Sequence, residues 1–469
     1  MKAVSLICKP AALALMLTLG GCGSLLRTDY EPPAVSTPAA WTHAPSEGAS
    51  GAQASLADGG AWWRNFNDPV LNGLVDAALA RNNDLAAAAI RVRRAQYQAG
   101  LSEDKLIPQL GGDANVTRIR NLHGDRAISR ANSAELTVSY EVDLWGKLSR
   151  QRDAAQWEAL ATGQDRESAA LSLVGTTATL YWQTAFINQR IASSEESIAY
   201  ARRTQDLVRA QYAAGGASAL ELAEAQQTVA SQQAAHALLV QQRVEFTNAL
   251  TILFDGPPDR SMANPERLPS NALPEARAGV PAELLGRRPD LRAAELRLRE
   301  SLATVDATRA SFYPPLTLTG ALGSSSPTLS SVLQNPIATL GAGLTLPFLQ
   351  WNQMQLNIKI SKADYEERVV TFRQSLYQAM ADVENALSNR TQLTLRAEQL
   401  DVSLQSAREA ERLYEVRYRA GAVSLKDWLD AQEKRRTAEI ARDENMLNRL
   451  VNQVTVYQAL GGDDVVAGS

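Results

Sequence analysis

Polar and apolar residues alternate along a short part of the chain in a way that predicts β-strands. From Ala134 to Val142 the even-numbered residues are apolar or aromatic, and the odd-numbered residues are Glu, Thr or Ser. A period of two places one kind of residue on each face of a strand. We therefore predict a strand at about 133–143 and a partner with a weaker pattern at about 110–120. A second pair is expected at about 315–323 and 337–347, where Leu and Ala alternate with Thr and Gly.

Most of the remaining chain is predicted to be helical, and two of the helices are unusually long. They cover about 147–213 and about 352–419, so each is roughly 65 residues or about 100 Å long at 1.5 Å per residue. Shorter helices are expected at about 218–254 and about 424–460. Helices of this length pack as antiparallel coiled coils. Their Gln, Arg, Glu and Ser side chains lie on several sides, which favours a wall that is wetted on both faces.

The chain also contains an internal two-fold repeat. Tyr212 and Gly215 recur as Tyr418 and Gly421, and the distance is 206 residues in both cases (418 − 212 = 206; 421 − 215 = 206). A repeat without slippage predicts two equivalent structural units. The expected organisation is a targeting segment at 1–21, an extended arm at 22–66, a first repeat at 67–256, a Pro-rich linker at 257–286, a second repeat at 287–462 and a tail at 463–469.

Each repeat turns from its long helix to its short helix through the same local sequence. Gly215 and Gly421 occur where a left-handed residue ends a helix. Ser218 and Ser424 occur where a hydroxyl group caps the next helix, with a carboxylate three residues later to complete a capping box. We therefore predict two tight helical hairpins, far from the strands.

The carboxylates at these turns allow two interpretations. Glu221 with Glu224, and Asp427 with Asp430, lie three residues apart on one helical face. Arranged around a channel axis, they would form acidic rings that select for cations at a narrow end. The alternative is that they only cap the helices and solvate one face.

The N-terminus is typical of a bacterial lipoprotein signal. A short apolar run ends in Leu19-Gly20-Gly21-Cys22, and small residues before a cysteine resemble a lipobox. The resemblance implies cleavage before Cys22 and attachment of a diacylglycerol and an N-acyl chain such as palmitate. An ordinary signal peptide with an incidental cysteine is the alternative. Gly23 follows the cysteine, which by resemblance implies sorting to the outer membrane.

Composition excludes several classes of function. Three His residues and two Cys residues, without ligand spacing, argue against a metal site and against an internal disulfide bond. A net charge of −4 shows no basic bias toward nucleic acid. Apart from the signal, no apolar run approaches 18 residues, so a bilayer could be crossed only by a closed β-barrel. The alternating strands fit such a barrel, and the alternative is a soluble sheet packed on a core, which shows the same alternation. Four strands cannot close a barrel, so the barrel interpretation requires an oligomer of two, three or four chains.

Several longer motifs occur in a fixed order along nearly the whole chain after the signal. They are Asn83-Asp84-Leu85, Tyr140-Glu141-Val142-Asp143-Leu144-Trp145-Gly146-Lys147, Arg287-Arg288-Pro289-Asp290 and Ala459-Leu460-Gly461-Gly462. On these residues the chain resembles the outer-membrane efflux proteins, the TolC-like family, and most closely its lipoprotein branch typified by OprM and NodT.

The resemblance implies a mainly α fold with a transmembrane β-barrel. In a homotrimer, four strands per chain would contribute to a twelve-stranded barrel in the outer membrane, and the long helices would form an α-barrel in the periplasm. The implied function is a passive exit duct of a tripartite efflux pump for drugs or other small toxic compounds. The implied partners are a periplasmic adaptor protein and an inner-membrane transporter of the RND type.

The resemblance also implies roles for residues at the helix tips. Glu221, Tyr418, Asp427 and Asp430 match positions of a periplasmic gate, and Gly215, Ser218, Gly421 and Ser424 would contact the adaptor. One departure concerns Val423, because some family members have Arg there. Without that ion pair, closure would need Lys426, Arg419 or a mainly steric gate.

Three other functions compete with efflux. An exit duct for polypeptides in a type I secretion system would share the architecture, but such members typically lack the lipobox. A structural envelope lipoprotein would not need alternating strands. An enzyme is not expected, because the chain has neither a Gly-x-Ser-x-Gly motif nor a phosphate-binding loop, and Gly341-Ala342-Gly343 lacks a third glycine and lies on a predicted strand.

Overall fold

The computed structural model describes residues 26–43, 61–124, 128–257, 265–270, 273–274, 281–332, 334 and 336–462. These residues form two compact units. The first contains the described parts of 1–35, 90–164 and 292–375, and the second contains those of 36–89, 165–291 and 376–469. The predicted signal segment at 1–21, Cys22 and the tail at 463–469 lie outside the described residues, as does half of the Pro-rich linker.

Twelve helices and strands account for most of the described chain. The helices are α1 (Pro69–Arg81), α2 (Asn83–Asp104), α3 (Lys147–Ala213), α4 (Ala219–Ile252), α5 (Leu284–Arg287), α6 (Pro289–Ala310), α7 (Trp351–Arg419) and α8 (Leu425–Ala459). The strands are β1 (Gln109–Arg120), β2 (Ile128–Val142), β3 (Leu316–Ser326) and β4 (Ile337–Leu344). None of the described helices combines the length and apolarity that crossing a bilayer requires.

The first unit contains one antiparallel sheet in the order β1-β2-β3-β4. Its register aligns the alternation of all four strands, because Leu110 pairs with Val138, Val138 with Gly320 and Gly320 with Leu340. The neighbouring row on the other face joins Gly111, Thr137 and Ala321. One face of the sheet is therefore largely apolar at the end where the strands connect to helices, around Ala134 to Val142 of β2. The other face carries mainly Thr, Ser, Gly, Asp and Glu.

The motif from Tyr140 to Lys147 forms the turn from strand β2 to helix α3. Gly146 has φ +76°, a left-handed conformation that favours glycine. The carboxylate of Asp143 accepts hydrogen bonds from the backbone N–H groups of Leu148 (2.9 Å) and Ser149 (2.8 Å), which have no partner within the helix. The indole of Trp145 donates to the carbonyl of Pro314, 2.9 Å away, and fixes this turn to the start of β3.

The part of the N-terminal arm at residues 26–35 lies against helices of the first unit. The buried carboxylate of Asp306 accepts hydrogen bonds from the backbone N–H (2.7 Å) and the hydroxyl (2.8 Å) of Thr28. The Arg299 guanidinium lies 4.7 Å from the ring centre of Tyr30 and 5.3 Å from that of Trp157. Burial raises the pKa of the Tyr30 hydroxyl to about 12, so this group stays neutral at physiological pH.

The second unit has an aromatic core in which residues before α1 and at the end of α8 pack against the middle of α3. Trp62 stacks on Tyr457 with ring centres 4.9 Å apart, and Phe66 packs edge-on against Trp182 at 4.7 Å. Asp68 caps α1 by accepting hydrogen bonds from the first backbone N–H groups and also accepts one from the hydroxyl of Tyr181 at 2.9 Å. The bulky residues that precede α1 are thus buried by α3 and α8.

Each repeat contains an equivalent hydrogen bond to the end of its short helix, but the donor side chain differs. In the first repeat the Asn82 amide donates to the carbonyl of Leu253 at 3.1 Å. In the second repeat the guanidinium of Arg288 donates to the carbonyl of Ala459 at 3.4 Å. Both donors and both acceptors are 206 residues apart (288 − 82 = 206; 459 − 253 = 206). Asp290 holds Arg288 in place through two hydrogen bonds of 3.1 and 2.8 Å, and this contact lowers the pKa of Asp290 against the opposing effect of its burial.

The observed strands differ from the expected ones at their ends. Strand β2 begins at Ile128, five residues earlier than expected, because its outer part pairs with β1 although its sequence no longer alternates. Strand β4 ends at Leu344 instead of about 347. Pro347 lacks the N–H group that a strand would use for pairing.

The close approach at Gly461 gives a testable prediction. Gly461 has φ +98°, and a Cβ atom there would lie 2.8 Å from the backbone carbonyl of Arg287. We expect Gly461→Ala to lower the free energy of unfolding by about 3 kcal/mol, because it adds backbone strain and a clash with another backbone. Gly73→Ala is the control, since nothing lies within 4 Å of its Cβ position on helix α1. Thermal unfolding followed by circular dichroism should separate the two, and equal midpoints would contradict the prediction.

Candidate functional site at the helix tips

The first helix tip is a tight hairpin between α3 and α4. The N–H groups of Gly215 and Gly216 donate to the carbonyls of Tyr212 (3.1 Å) and Gln211 (2.7 Å), a Schellman turn that ends α3. Gly215 has φ +74°, which a residue with a side chain rarely adopts. Ser218 then caps α4, and Glu221 reaches back to the N–H of Ser218 at 2.7 Å to complete a capping box.

The second tip, between α7 and α8, repeats this geometry. The N–H groups of Gly421 and Ala422 donate to the carbonyls of Tyr418 (2.9 Å) and Arg417 (2.8 Å), and Gly421 has φ +70°. The Ser424 hydroxyl and the Asp427 carboxylate form the second capping box, with 2.6 Å between their oxygen atoms. The same turn chemistry therefore places Glu221 and Asp427 in the first turn of their helices, where the helix dipole favours negative charge.

A small apolar cluster joins the two tips. It contains Val208, Ala225, Tyr418, Leu425 and Trp428, all of them buried. The Tyr418 ring stacks on Trp428 with ring centres 5.1 Å apart, and its hydroxyl donates to the side-chain oxygen of Gln211 at 3.0 Å. Because Gln211 belongs to α3 and Tyr418 to α7, this hydrogen bond connects the ends of the two long helices.

The acidic residues of the tips surround one lysine. The Lys426 ammonium lies 2.7 Å from the Asp430 carboxylate, and this pairing raises the pKa of Lys426, with smaller contributions from Glu224 and Asp427. The hydrogen bonds from Ser424 lower the pKa of the Asp427 carboxyl. Burial raises the pKa of Tyr418, and the nearby charge of Glu221 adds to that rise. These shifts favour an ionised Asp427, a protonated Lys426 and a neutral Tyr418 at the tips.

The structure brings the residues proposed from the sequence together, but in different environments. Glu221, Asp427 and Asp430 are on the exposed or partly exposed side of their helices, whereas Tyr418 is 9% exposed and packs inside the cluster. Arg419 pairs with Glu415 one helical turn away, at 2.5 Å. Val423 packs against the apolar cluster instead of forming an ion pair. Lys426 is thus the cation closest to the acidic groups.

Sequence reasoning missed Trp428 and Gln211. Trp428 is buried at the centre of the cluster and also packs edge-on against Tyr200, at 6.2 Å. The sequence feature that could have indicated its burial is a single tryptophan among the polar residues that begin α8. Gln211 gave no such signal, because one more glutamine on a polar helix is unremarkable before its partner is known.

The arrangement at the tips is suited to electrostatic selection. Several carboxylates lie close together at the end of two hairpins, and one tyrosine and one tryptophan hold those hairpins in place. Among the residues that the structure describes, no group of three or more His, Cys, Asp or Glu residues is placed to hold a metal ion. Cys22, the proposed lipidation site, lies outside the described residues.

Comparison with known proteins identifies the family. The outer membrane efflux protein family matches residues 74–254 and 280–462, which together make up most of the chain. The pyoverdine export outer membrane protein OpmQ of Pseudomonas putida is 34% identical over 438 residues, which cover 91% of this chain and 92% of that protein. Toxin and drug export protein A of Aggregatibacter actinomycetemcomitans is 33% identical over 407 residues and covers 86% and 88% respectively.

A solved structure agrees with this assignment. The crystal structure of the Campylobacter jejuni CmeC outer membrane channel superimposes with a TM-score of 0.85 at 25% identity, over 93% of this chain and 94% of that one. The expectations of a mainly helical TolC-like fold and of a protein that is not an enzyme are confirmed by these relatives. The chain therefore belongs to the outer membrane efflux protein family and is an outer membrane efflux channel.

Proposed function

We propose that three copies of this chain form the exit duct of a tripartite efflux pump, which conducts small toxic compounds passively to the exterior. The observation that carries the proposal is the two-faced sheet with free edges. The outer edges of β1 and β4 pair with no other strand among the described residues. Unpaired edges in a membrane would leave backbone groups without hydrogen bonds, which is costly in hydrocarbon.

Pairing β4 of one copy with β1 of the next removes these edges. Three copies supply twelve strands (3 × 4), a number that leaves an aqueous lumen, whereas the eight strands of two copies would be filled by side chains. The apolar face, with Leu110, Leu136, Leu322 and Leu340 exposed, would then contact lipid. The polar face, with Thr137 and Thr319, would line water.

The acidic residues of the helix tips are the proposed gate of the duct. In three copies, Glu221, Asp427 and Asp430 would stand in rings around the axis and attract cations. Tyr418 acts differently, since it is buried and ties the two long helices together through Gln211. The Lys426–Asp430 pair supplies the charge neutralisation that Val423 does not.

The exposed turns are the proposed docking points for the rest of the pump. Gly215 and Gly421 have no side chain, and beyond their chain neighbours no atom lies within 4 Å of where a Cβ atom would be. A periplasmic adaptor protein could therefore approach the backbone closely beside Ser218 and Ser424. The proposed source of energy for transport is an inner-membrane transporter of the RND type.

The N-terminal lipid is a separate part of the proposal. Cys22 would carry a diacylglycerol and an N-acyl chain, which anchor the arm in the outer membrane. Its support is the lipobox at Leu19-Gly20-Gly21-Cys22 together with the contact of Thr28 with Asp306. That contact places the arm beside the end of α6 that leads into the sheet.

Polypeptide secretion is the alternative for this architecture. One relative is named for the export of both toxins and drugs, and another for the export of pyoverdine. The lipobox favours the small molecules. A structural envelope lipoprotein is a weaker alternative, since it would need neither an apolar sheet face nor free edges.

Conduction and transport test the proposed function directly. We expect the purified protein to form ion-conducting channels in planar bilayers. Deletion of the gene should increase susceptibility to several small toxic compounds and leave toxin release unchanged. Absence of conductance would favour the structural lipoprotein, and loss of toxin release without a change in susceptibility would favour polypeptide secretion.

The acidic ring gives a second prediction. Asp427→Asn with Asp430→Asn should raise the Mg²⁺ concentration for half-maximal block about tenfold, because two nearby charges per chain are lost at a site that binds a divalent cation. An Asn side chain at position 427 keeps an oxygen that can still accept the hydrogen bond from the backbone N–H of Ser424 at the start of α8. Asp76→Asn is the control, because Asp76 is an exposed carboxylate on α1 and pairs only weakly with Arg64, at 3.6 Å. Unchanged block in single-channel recordings of the double variant would argue against the ring.

Lipidation can be separated from conduction. We expect Cys22→Ser to abolish incorporation of labelled palmitate but to leave channel conductance intact, because the strands provide their own contact with the membrane. Intact-mass measurement of the purified protein checks the loss of both lipid groups. A wild-type mass without added lipid would contradict the assignment of Cys22.

A further inference from the structure

Three arginines project from the outer end of the β1–β2 hairpin on one face of the sheet. Arg118 and Arg130 are direct cross-strand partners, and Arg120 lies two residues farther along the same strand as Arg118. All three are exposed. Cross-strand partners have Cβ atoms about 5 Å apart, and residues two positions apart on a strand are about 7 Å apart. The three guanidinium groups therefore share one small patch.

The patch has no negative charge to balance it among the described residues. None of the three arginines takes part in an ion pair within the ranges that the structure describes, and the carboxylates of Asp113 and Glu135 lie on the opposite face. Like charges directly opposite each other on a sheet destabilise it. A bound anion would remove this repulsion.

The patch continues the apolar face of the sheet. From Arg130 toward the C-terminal end of β2, the same face carries Asn132, Ala134, Leu136, Val138, Tyr140 and Val142. The polar residue nearest the arginines, Asn132, turns its amide to the carbonyl of Ser326 at 3.1 Å and is buried. The side that is proposed to face lipid thus changes from aliphatic to strongly cationic within a few residues.

The spacing places the arginines at the level of lipid headgroups. Arg130 is 12 residues from Val142 (142 − 130 = 12), which is about 40 Å along a strand and about 30 Å along the membrane normal at a typical tilt. The apolar band of an outer-membrane barrel is about 25 Å tall. All four strands connect to helices at the Val142 end, so the arginines lie at the far, hairpin end of the sheet.

We propose that Arg118, Arg120 and Arg130 bind the headgroup phosphates of a phosphorylated lipid in the outer leaflet. This inference rests on the proposed function, since it requires the apolar face to contact the membrane. Arginine matches phosphate oxygens with paired N–H donors and keeps its charge in a partly apolar setting. A lipid fits better than free phosphate, because its acyl chains would cover Leu136 and Leu322 while its phosphates reach the patch.

Lipid binding by the purified protein tests the proposal. The probe is lipid A carrying its phosphates, offered in phosphatidylcholine nanodiscs, with enzymatically dephosphorylated lipid A as the second arm. Arg118→Gln with Arg130→Gln should weaken binding of the phosphorylated lipid about tenfold or more, because two charge-assisted contacts to phosphate are lost. Native mass spectrometry counts the lipids that stay bound.

Matched variants define the outcomes. Arg91→Gln with Arg94→Gln removes the same charge from exposed positions on α2 and should bind like the wild type. Arg118→Lys with Arg130→Lys should fall between wild type and the Gln variant, because Lys keeps the charge but not the paired donors. Equal binding by wild type and the Gln variant, or by both forms of lipid A, would overturn the proposal. Displacement of the lipid by an equal concentration of inorganic phosphate would do so as well, and would indicate a bare anion site.

Failure of the proposal can be distinguished from failure of the proposed function. Conductance is recorded in planar bilayers of phosphatidylcholine alone, where the patch has no phosphorylated lipid A to bind. Channels there without selective lipid binding would refute the arginine site and leave the duct intact. Absence of channels in any bilayer would refute the duct, and with it the reason for placing the arginines at the membrane.

Discussion

Backbone hydrogen bonding at the sheet edges constrains the rest of this molecule. The four strands pair with one another in sequence order, so β1 and β4 each keep one row of N–H and C=O groups without a strand partner among the described residues. Water can satisfy such groups, but hydrocarbon cannot. A chain that places this sheet in a membrane must therefore assemble with copies of itself. The alignment of apolar rows across all four strands gives the assembly one consistent outer face.

The two repeats form the same helix turns, helix caps and helix-end hydrogen bond, although not always with the same residues. Both tips use a glycine with positive φ and a Ser–carboxylate capping box, so turn chemistry is retained residue by residue. At the start of the repeats, Asn82 and Arg288 make the equivalent hydrogen bond to a helix-end carbonyl. The position of the donor is thus retained while its charge is not. Asp290 holds Arg288 in place, and the equivalent residue of the first repeat, Asp84, follows the neutral Asn82 (290 − 84 = 206).

Periodicity and turn residues made much of the architecture predictable. Alternation indicated the strands, and the Gly and Ser residues of the tips located the hairpins to within one or two residues. The outer third of β2 was missed, because residues 128–132 do not alternate although their backbone pairs with β1. The tip cluster was also beyond prediction, since the contact of Tyr418 with Gln211 joins residues 207 positions apart. The roles of Glu221, Asp427 and Asp430 in a gate stay predictions.

The contact between Thr28 and Asp306 sets a limit on where a lipidated N-terminus could lie. Thr28 is the sixth residue after Cys22, and a fully extended chain spans at most about 3.5 Å per residue, so the tether is no longer than about 20 Å. The backbone of a lipidated Cys22 would therefore remain within about 20 Å of Thr28, which contacts α6, the helix that leads into β3. Once the lipid entered the membrane, the first unit would be held beside the bilayer at a high effective concentration, and the insertion of its strands would become a local event instead of a search through solution.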